Sequence, residues 1–345
     1  MEISVVIPTC DRPDRLRALL ANLNRSTHPL REVLVIDSSD ERLGPEAFAG
    51  FDRLGVVYLS AARSVCVQRN AGIRLASAPW VFLCDDDMEV PPDYLTRLAA
   101  HVAAHPVCGA VSGLFLEKQG AGWSGQFPET SSLVVAWKFL FEMGMWGPIR
   151  GQGALTRAIA GRCRARGNHI ARSGWPVITE MDGAFFRTPV YTLGASLVRR
   201  DWLLASPFDE SLDSHGLGDN YGVAIGFPAE GIHVLNDAPV YHHRAEANRL
   251  ADGVAQERRM LALDYFIQTR HELANVDART AHLLWSLIGA AILHAASGNR
   301  TASRAMLRAF ARVATGRNPY RAGRGAEPLD PPPRQRPEPT PSDVR

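Results

Sequence analysis

Cysteine is scarce. The five present (Cys10, Cys66, Cys84, Cys108, Cys163) are odd in number, widely spaced and mostly set among apolar residues. No C-x-x-C pair exists to suggest a zinc or redox motif, and the pattern reads as buried free thiols in a reducing cytoplasm. Net charge is also small, +2, too near zero for nucleic-acid binding by the whole molecule. Met1 to Pro8 starts directly in a strand-like run, without the basic and cleavable apolar stretches of a secretion signal. The most apolar run, Leu283 to Leu293, is shorter than the roughly 20 residues of a spanning helix. What is abundant is core material: 46% hydrophobic and 21% charged residues over 345 positions, which excludes disorder throughout and fits one large domain or two closely joined ones.

The first hundred residues alternate short β-branched runs with helical patterns, the sign of an α/β chain with βαβ units. Ser4 to Thr9 reads as a buried strand. Asp11-Arg12-Pro13-Asp14 then opens a helix in which Leu16, Leu19, Leu20 and Leu23 recur at i, i+3, i+4, i+7. Strands are expected at Glu32 to Ile36 and Val56 to Leu59, a helix over Ser64 to Ala76, a strand at Trp80 to Cys84, a helix over Asp93 to His105 and a strand near Val107 to Phe115. Periodicity then fades through a Gly- and Trp-rich stretch, Glu117 to Pro189, which reads as a long loop region. Strands return at Tyr191 to Arg199 and His233 to Tyr241, and the chain reads as helical from about Glu246. Pro328, Pro331, Pro332, Pro333, Pro337, Pro339 and Pro341 exclude regular structure from the tail, expected to be disordered over 322–345.

Asp85-Asp86-Asp87 ends an apolar strand, where mutual repulsion and desolvation are unfavourable unless a cation joins the cluster. In an extended segment Asp85 and Asp87 project to one side, a pair able to hold Mg²⁺ or Mn²⁺ through oxygen ligands. A solvated acidic loop capping the next helix is the competing reading. Position weighs for a site, because ligands of open α/β sheets bind beyond the carboxyl ends of strands, where Asp37 and the three aspartates both fall.

Val5-Val6-Ile7-Pro8-Thr9 with Asp11, Val35-Ile36-Asp37-Ser38-Ser39-Asp40, Arg69-Asn70-Ala71-Gly72-Ile73, and Phe82-Leu83-Cys84-Asp85-Asp86-Asp87 followed by Pro91-Pro92-Asp93-Tyr94-Leu95 resemble the ordered motifs of family 2 glycosyltransferases over about residues 3 to 115. The resemblance implies a GT-A fold: a Rossmann-like mixed sheet flanked by helices, here with a C-terminal helical extension. It implies a donor site of Pro8, Thr9, Asp11, Asp37, Arg69, Asp85 and Asp86, with Asp37 beside the base and Asp85 to Asp87 as a D-x-D element. Metal ligands would be Asp85, Asp87 and a histidine after the last strand, His242 or its substitute His243; imidazole suits Mn²⁺ better than Mg²⁺. Ser64 stands where the family often has glycine, and Asp37-Ser38-Ser39 is a shortened form of its Asp-Asp-Gly-Ser.

Phe208-Asp209-Glu210-Ser211-Leu212 leading to Gly218-Asp219-Asn220 resembles the family segment ending in Gly-Glu-Asp, with the carboxylate pair turned into Asp-Asn. Inverting transfer needs a base for the acceptor hydroxyl, so Asp219 is the catalytic candidate, with Asp209 and Asp213 as fallbacks. A helix N-cap after Gly216-Leu217-Gly218 is the competing reading of Asp219, ranked just below the catalytic one. Trp123, Trp137, Trp146 and Trp175 offer faces for a sugar or lipid, and packing accounts for them as well.

Arg300, Arg304, Arg308 and Arg312 recur every four residues beside Met306, Leu307, Phe310 and Val313, a basic amphipathic pattern that fits either an anionic membrane face or a helix packed on the catalytic domain. The expected division is 1–115 for the nucleotide-sugar half, 116–245 for acceptor binding and catalysis, 246–321 for the helical extension, and the tail. The expected partners are a UDP-, GDP- or dTDP-sugar and a glycan, lipid-linked or small-molecule acceptor, without nucleic acid, in the cytoplasm or peripherally at the inner membrane face. A non-catalytic nucleotide-sugar-binding protein is the alternative. A nucleotidyltransferase is disfavoured because no glycine precedes Gly44 to form its phosphate loop.

Overall fold

The computed structural model describes residues 1–120, 122–228, 230–243 and 250–321. The first βαβ units run β1 (Ile3–Thr9), α1 (Pro13–Leu23), β2 (Glu32–Asp37), β3 (Val56–Ser60), α2 (Val65–Leu75) and β4 (Trp80–Cys84). Within β1, Ile3, Val5 and Ile7 face a core shared with Leu16, Leu19 and Leu20, whereas Val6 faces a second core with Ile36 and Ile73. Both faces are therefore covered, which is why the strand is apolar without alternation. Helix α2 lies so close to β1 that a Cβ on Gly72 would sit 2.5 Å from Val6 Cγ1.

Next come β5 (Met88–Glu89), α3 (Tyr94–Ala104), β6 (Ala110–Gln119), β7 (Gly122–Ser124), α4 (Ser132–Leu140), β8 (Met145–Trp146), α5 (Ala154–Arg166), β9 (His169–Ile170), β10 (Pro176–Ile178) and β11 (Phe185–Arg187). The stretch read as loops thus contains two helices and a small three-stranded sheet, ordered β8-β10-β9. Its elements are short, and α5 is polar enough that only Thr156, Ile159 and Cys163 are buried, so no sustained period marks them.

The chain continues with β12 (Ala195–Arg199), α6 (Arg200–Ala205), α7 (Asp219–Ala224), β13 (Ile232–His242), α8 (Asp252–Thr269), α9 (Val276–Ala296) and α10 (Arg300–Ala314). The main sheet is ordered β11-β13-β6-β12-β4-β1-β2-β3, with β5 on β13 and β7 on β6. Strands β4, β1, β2 and β3 are mutually parallel, and β12 is antiparallel to both β4 and β6, so the sheet is mixed.

Helix α9 has 21 residues, and among the described residues it is the one helix long and apolar enough to cross a membrane by length and composition. The apolar run read from the sequence is only its middle. Leu283, Leu287, Ala290 and Ala291 of α9 are buried in the core. Helix α10 buries Ala302, Ala305, Met306, Ala309 and Val313, and Arg308 and Arg312 both pair with Glu257 of α8. Packing on the domain therefore uses the apolar side of this helix and half of its arginine row. The tail expected to be disordered, 322–345, lies outside the described residues.

Candidate active site

The carboxyl ends of β1, β2 and β4 open into a cavity of about 1200 Å³ lined by Pro8, Thr9, Ser38, Asp40, Arg69, Asp85, Asp86, Asp87, Asp219 and His242, among others. Gln68 braces the strand ends: its amide nitrogen Nε2 donates to the carbonyls of Thr9 (2.8 Å) and Ile36 (2.7 Å). Ser64 caps α2 by accepting from the Val67 N–H at 3.5 Å, in extended backbone with φ −162° that requires no glycine.

The acidic segment is a turn and not the extended segment expected from the sequence. Strand β4 stops at Cys84, the Asp85 N–H donates to the Gly194 carbonyl (2.8 Å), and the Met88 N–H donates to the Asp85 carbonyl (3.3 Å). Each aspartate is thereby given a different partner. Asp85 accepts from Arg69 Nη2 at 2.5 Å. Asp86 accepts from Thr9 Oγ1 (2.8 Å) and Arg12 Nη1 (3.0 Å); burial lifts its pKa to about 6 against the pull of Arg12. Asp87 Oδ1 lies 3.3 Å from His242 Nε2.

His242 Nδ1 lies 3.0 Å from Glu117 Oε1. Burial pulls the His242 pKa down, but its hydrogen bonds to Asp87 and Glu117 outweigh this and push it up to about 9. His243 turns the other way, placing Nε2 2.6 Å from Glu89 Oε2. Asp85, Asp87 and His242 are donors of the types a divalent cation takes, but among the described residues the three such groups whose ligand atoms lie within 4.8 Å of one another are His101, Cys108 and His233.

Arg69, 4% exposed, ties the two sides of the cavity together. Its Nη2 holds Asp85 and its Nη1 holds Asp219, and its guanidinium lies 5.1 Å from the Phe208 ring centre. The next residue, Asn70, fixes the Phe208 backbone through Nδ2 to the carbonyl (2.8 Å) and Oδ1 from the N–H (3.0 Å). From there the chain reaches Gly216 and Gly218, at φ +60° and +93°, a left-handed backbone that suits glycine. Gly218 occupies the cap position and Asp219 the first turn of α7, without a capping hydrogen bond from the Gly218 position. Asp219 instead accepts from its neighbour's N–H, that of Asn220, at 2.6 Å. Burial raises its pKa to about 6, with Arg69 opposing.

The two fallback aspartates are committed elsewhere. Asp213 accepts from the Tyr320 hydroxyl and lies 3.5 Å from Arg258 Nη1; Asp209 accepts from Tyr265 at 2.9 Å. Asp37 is 2% exposed and accepts from Ser39 Oγ and from Tyr58 (2.7 Å), leaving its neighbours Ser38 and Asp40 on the cavity wall. Asp11 borders a shallower hollow with Asp14 and Arg17 and pairs with Arg63. Sequence reasoning missed Gln68, Glu117 and Gly194. A Cβ on Gly194 would collide with the Asp85 carboxylate, but the two approach through pairing of distant strands, which leaves no local signal.

A parallel sheet extended by an antiparallel strand, with an acidic turn and a carboxylate-bearing loop on one cavity, is the arrangement of the GT-A class of folds. Residues 4–150 match the family model described as glycosyl transferase family 2. It is 30% identical over 103 residues to the uncharacterized glycosyltransferase YwdF of Bacillus subtilis (strain 168), covering 30% of this chain and 38% of that protein. It is 35% identical over 111 residues to the validoxylamine A glucosyltransferase of Streptomyces hygroscopicus subsp. jinggangensis, covering 30% of this chain and 26% of that protein. The chain thus aligns with well under half the length of either relative. Among solved structures, S. aureus TarS 1–349 in complex with UDP-GlcNAc superposes with a TM-score of 0.51 at 14% identity, over 94% of this chain and 92% of that one. GalNAc-T7 with UDP, GalNAc and Mn²⁺ gives 0.52 at 13% identity, over 86% and 57%.

Proposed function

We propose that this protein transfers a sugar from a nucleoside-diphosphate donor to an acceptor hydroxyl, with inversion and with a divalent cation. The observation that carries this reading is the single buried guanidinium of Arg69 joining Asp85, on the strand-end turn, to Asp219, on the opposite loop. Donor-side and acceptor-side carboxylates are so held to each other across one cavity.

In this reading Pro8, Thr9, Asp11, Asp37, Arg69, Asp85 and Asp86 form the donor site, and residues 1–115 supply it. Asp85, Asp87 and His242 would hold Mn²⁺ or Mg²⁺, which when bound offsets the charge of the diphosphate leaving group. Residues 116–245 receive the acceptor. Asp219 accepts the proton of the acceptor hydroxyl as its oxygen bonds to the anomeric carbon; the bond from that carbon to the diphosphate breaks, and the nucleoside diphosphate departs with the electron pair. Burial leaves Asp219 more basic than an ordinary carboxylate, and Arg69 keeps it ionised near neutral pH.

Donor binding without turnover is the second reading, favoured by one feature: both Asp219 oxygens already accept from the protein, one from Arg69 and one from the Asn220 N–H. Release of nucleoside diphosphate from UDP- and GDP-sugars with Mn²⁺ separates the two. Turnover supports transfer, and saturable binding without release supports the second. We place the reaction in the cytoplasm, in keeping with the buried thiols of Cys66, Cys84, Cys108 and Cys163. Peripheral membrane contact would rest on the exposed Arg300 and Arg304 and on Trp285 and Ile292, which α9 leaves 43% and 47% exposed.

A further inference from the structure

We propose that the small sheet inserted between β7 and β11 completes a subsite for a polyhydroxylated ring, a sugar or cyclitol, as acceptor; this rests on the transfer reading above. Parallel pairing of β8 with β10 brings Trp146 and Trp175 to the wall of the same cavity as Asp85 and Asp219. Trp146 stacks on Tyr191 with ring centres 5.6 Å apart and planes 23° apart. Trp175 lies against Gly144, where a Cβ would meet its ring at 2.9 Å. Flat aromatic surfaces of this kind suit the apolar C–H faces of a ring.

The second observation is independent of the aromatics. Trp175 Nε1, Asn220 Oδ1 and the Tyr221 hydroxyl are buried and have no hydrogen-bond partner within the protein, and all three residues line this cavity. Buried polar groups are ordinarily paired, so three unpaired ones at one cavity call for a ligand. One is a donor only, one an acceptor only, and one is both. Ring hydroxyls, each donor and acceptor, match all three, whereas an acyl chain matches none. Asn220 and Tyr221 directly follow Asp219 in α7, and all three residues line the one cavity.

Saturation-transfer NMR of the full chain with UDP and Mg²⁺ tests this, using a panel of methyl hexopyranosides and myo-inositol as probes and decyl phosphate as the lipid comparison. We expect transfer to the ring protons of at least one polyol, lost in Trp175→Ala and weakened about tenfold in Tyr221→Phe, the weight of one hydrogen bond to a buried group. Absence of any ring signal, ring signals indifferent to both substitutions, or binding of decyl phosphate alone overturns the proposal. Should Trp175→Ala fail to fold by circular dichroism, Tyr221→Phe, which removes one oxygen, decides. Titration of UDP, GDP and dTDP into the same protein isolates the other failure: if none binds, the transfer reading itself falls, whereas nucleotide binding with indifferent ring probes sinks only the subsite.

Discussion

Replacing Asp219 by asparagine keeps the shape of the side chain and removes its charge, so chemistry and stability respond separately. As general base, Asp219 is expected to contribute about 10²–10⁴-fold to turnover. Asparagine should cost that much in nucleoside diphosphate release while leaving the nucleotide affinity within a few-fold, because Arg69 retains Asp85. Stability follows from the shift of the Asp219 pKa from the ordinary 3.8 to about 6, worth roughly 3 kcal/mol. Between those values the folded protein holds a proton that the unfolded chain has released. Stability of the parent should therefore fall as pH rises from about 4 to about 6. Asparagine does not titrate, so the substitution should remove up to about 3 kcal/mol of that decline. Urea denaturation of both proteins at pH 4 and pH 7 reads the difference. Near-parental turnover by the folded variant would refute the base assignment, parallel pH profiles would refute the account of a carboxyl strained by burial, and lost nucleotide binding would move Asp219 to the donor site.

Asp87→Ala should abolish the Mn²⁺-dependent part of UDP or GDP binding in calorimetry without unfolding the chain, since removing one charge from a crowded cluster relieves repulsion; unchanged affinity would exclude the metal assignment. Gly194→Ala forces Asp85 off its position and should cut donor turnover at least tenfold with the fold retained, whereas normal turnover would mean that the geometry of Asp85 is unimportant. Tyr320→Phe deletes the hydroxyl that reaches buried Asp213 and should cost about 1–3 kcal/mol in urea denaturation; no loss would detach the C-terminal segment from the loop carrying Asp219. Arg300→Ser with Arg304→Ser should weaken co-sedimentation with anionic liposomes at low salt, and an unaltered profile, or none in the parent, would end the membrane proposal.

The sequence by itself determined the parallel half of the sheet. Continuous β-branched runs such as Ser4 to Thr9 form strands buried on both faces, and the leucines of α1 occupy one stripe; both are local periodicities that burial only has to accept. An acidic cluster at the end of an apolar strand also marked Asp85 to Asp87 as needing cationic partners, which Arg69, Arg12 and His242 supply, whereas Asp219 stood out only through resemblance. The sequence did not show the inserted sheet, whose strands of two or three residues are shorter than any period, nor the full extent of α9. Tertiary structure alone decided which groups meet. Arg69 joins residues 16 and 150 positions away, Glu117 reaches His242 only because β6 pairs with β13, and Asp209 and Asp213 accept from Tyr265 and Tyr320, both far along the chain. Such choices depend on distances between segments far apart in the chain, and residue order carries no record of them until the cores on either side of the sheet bring those segments together.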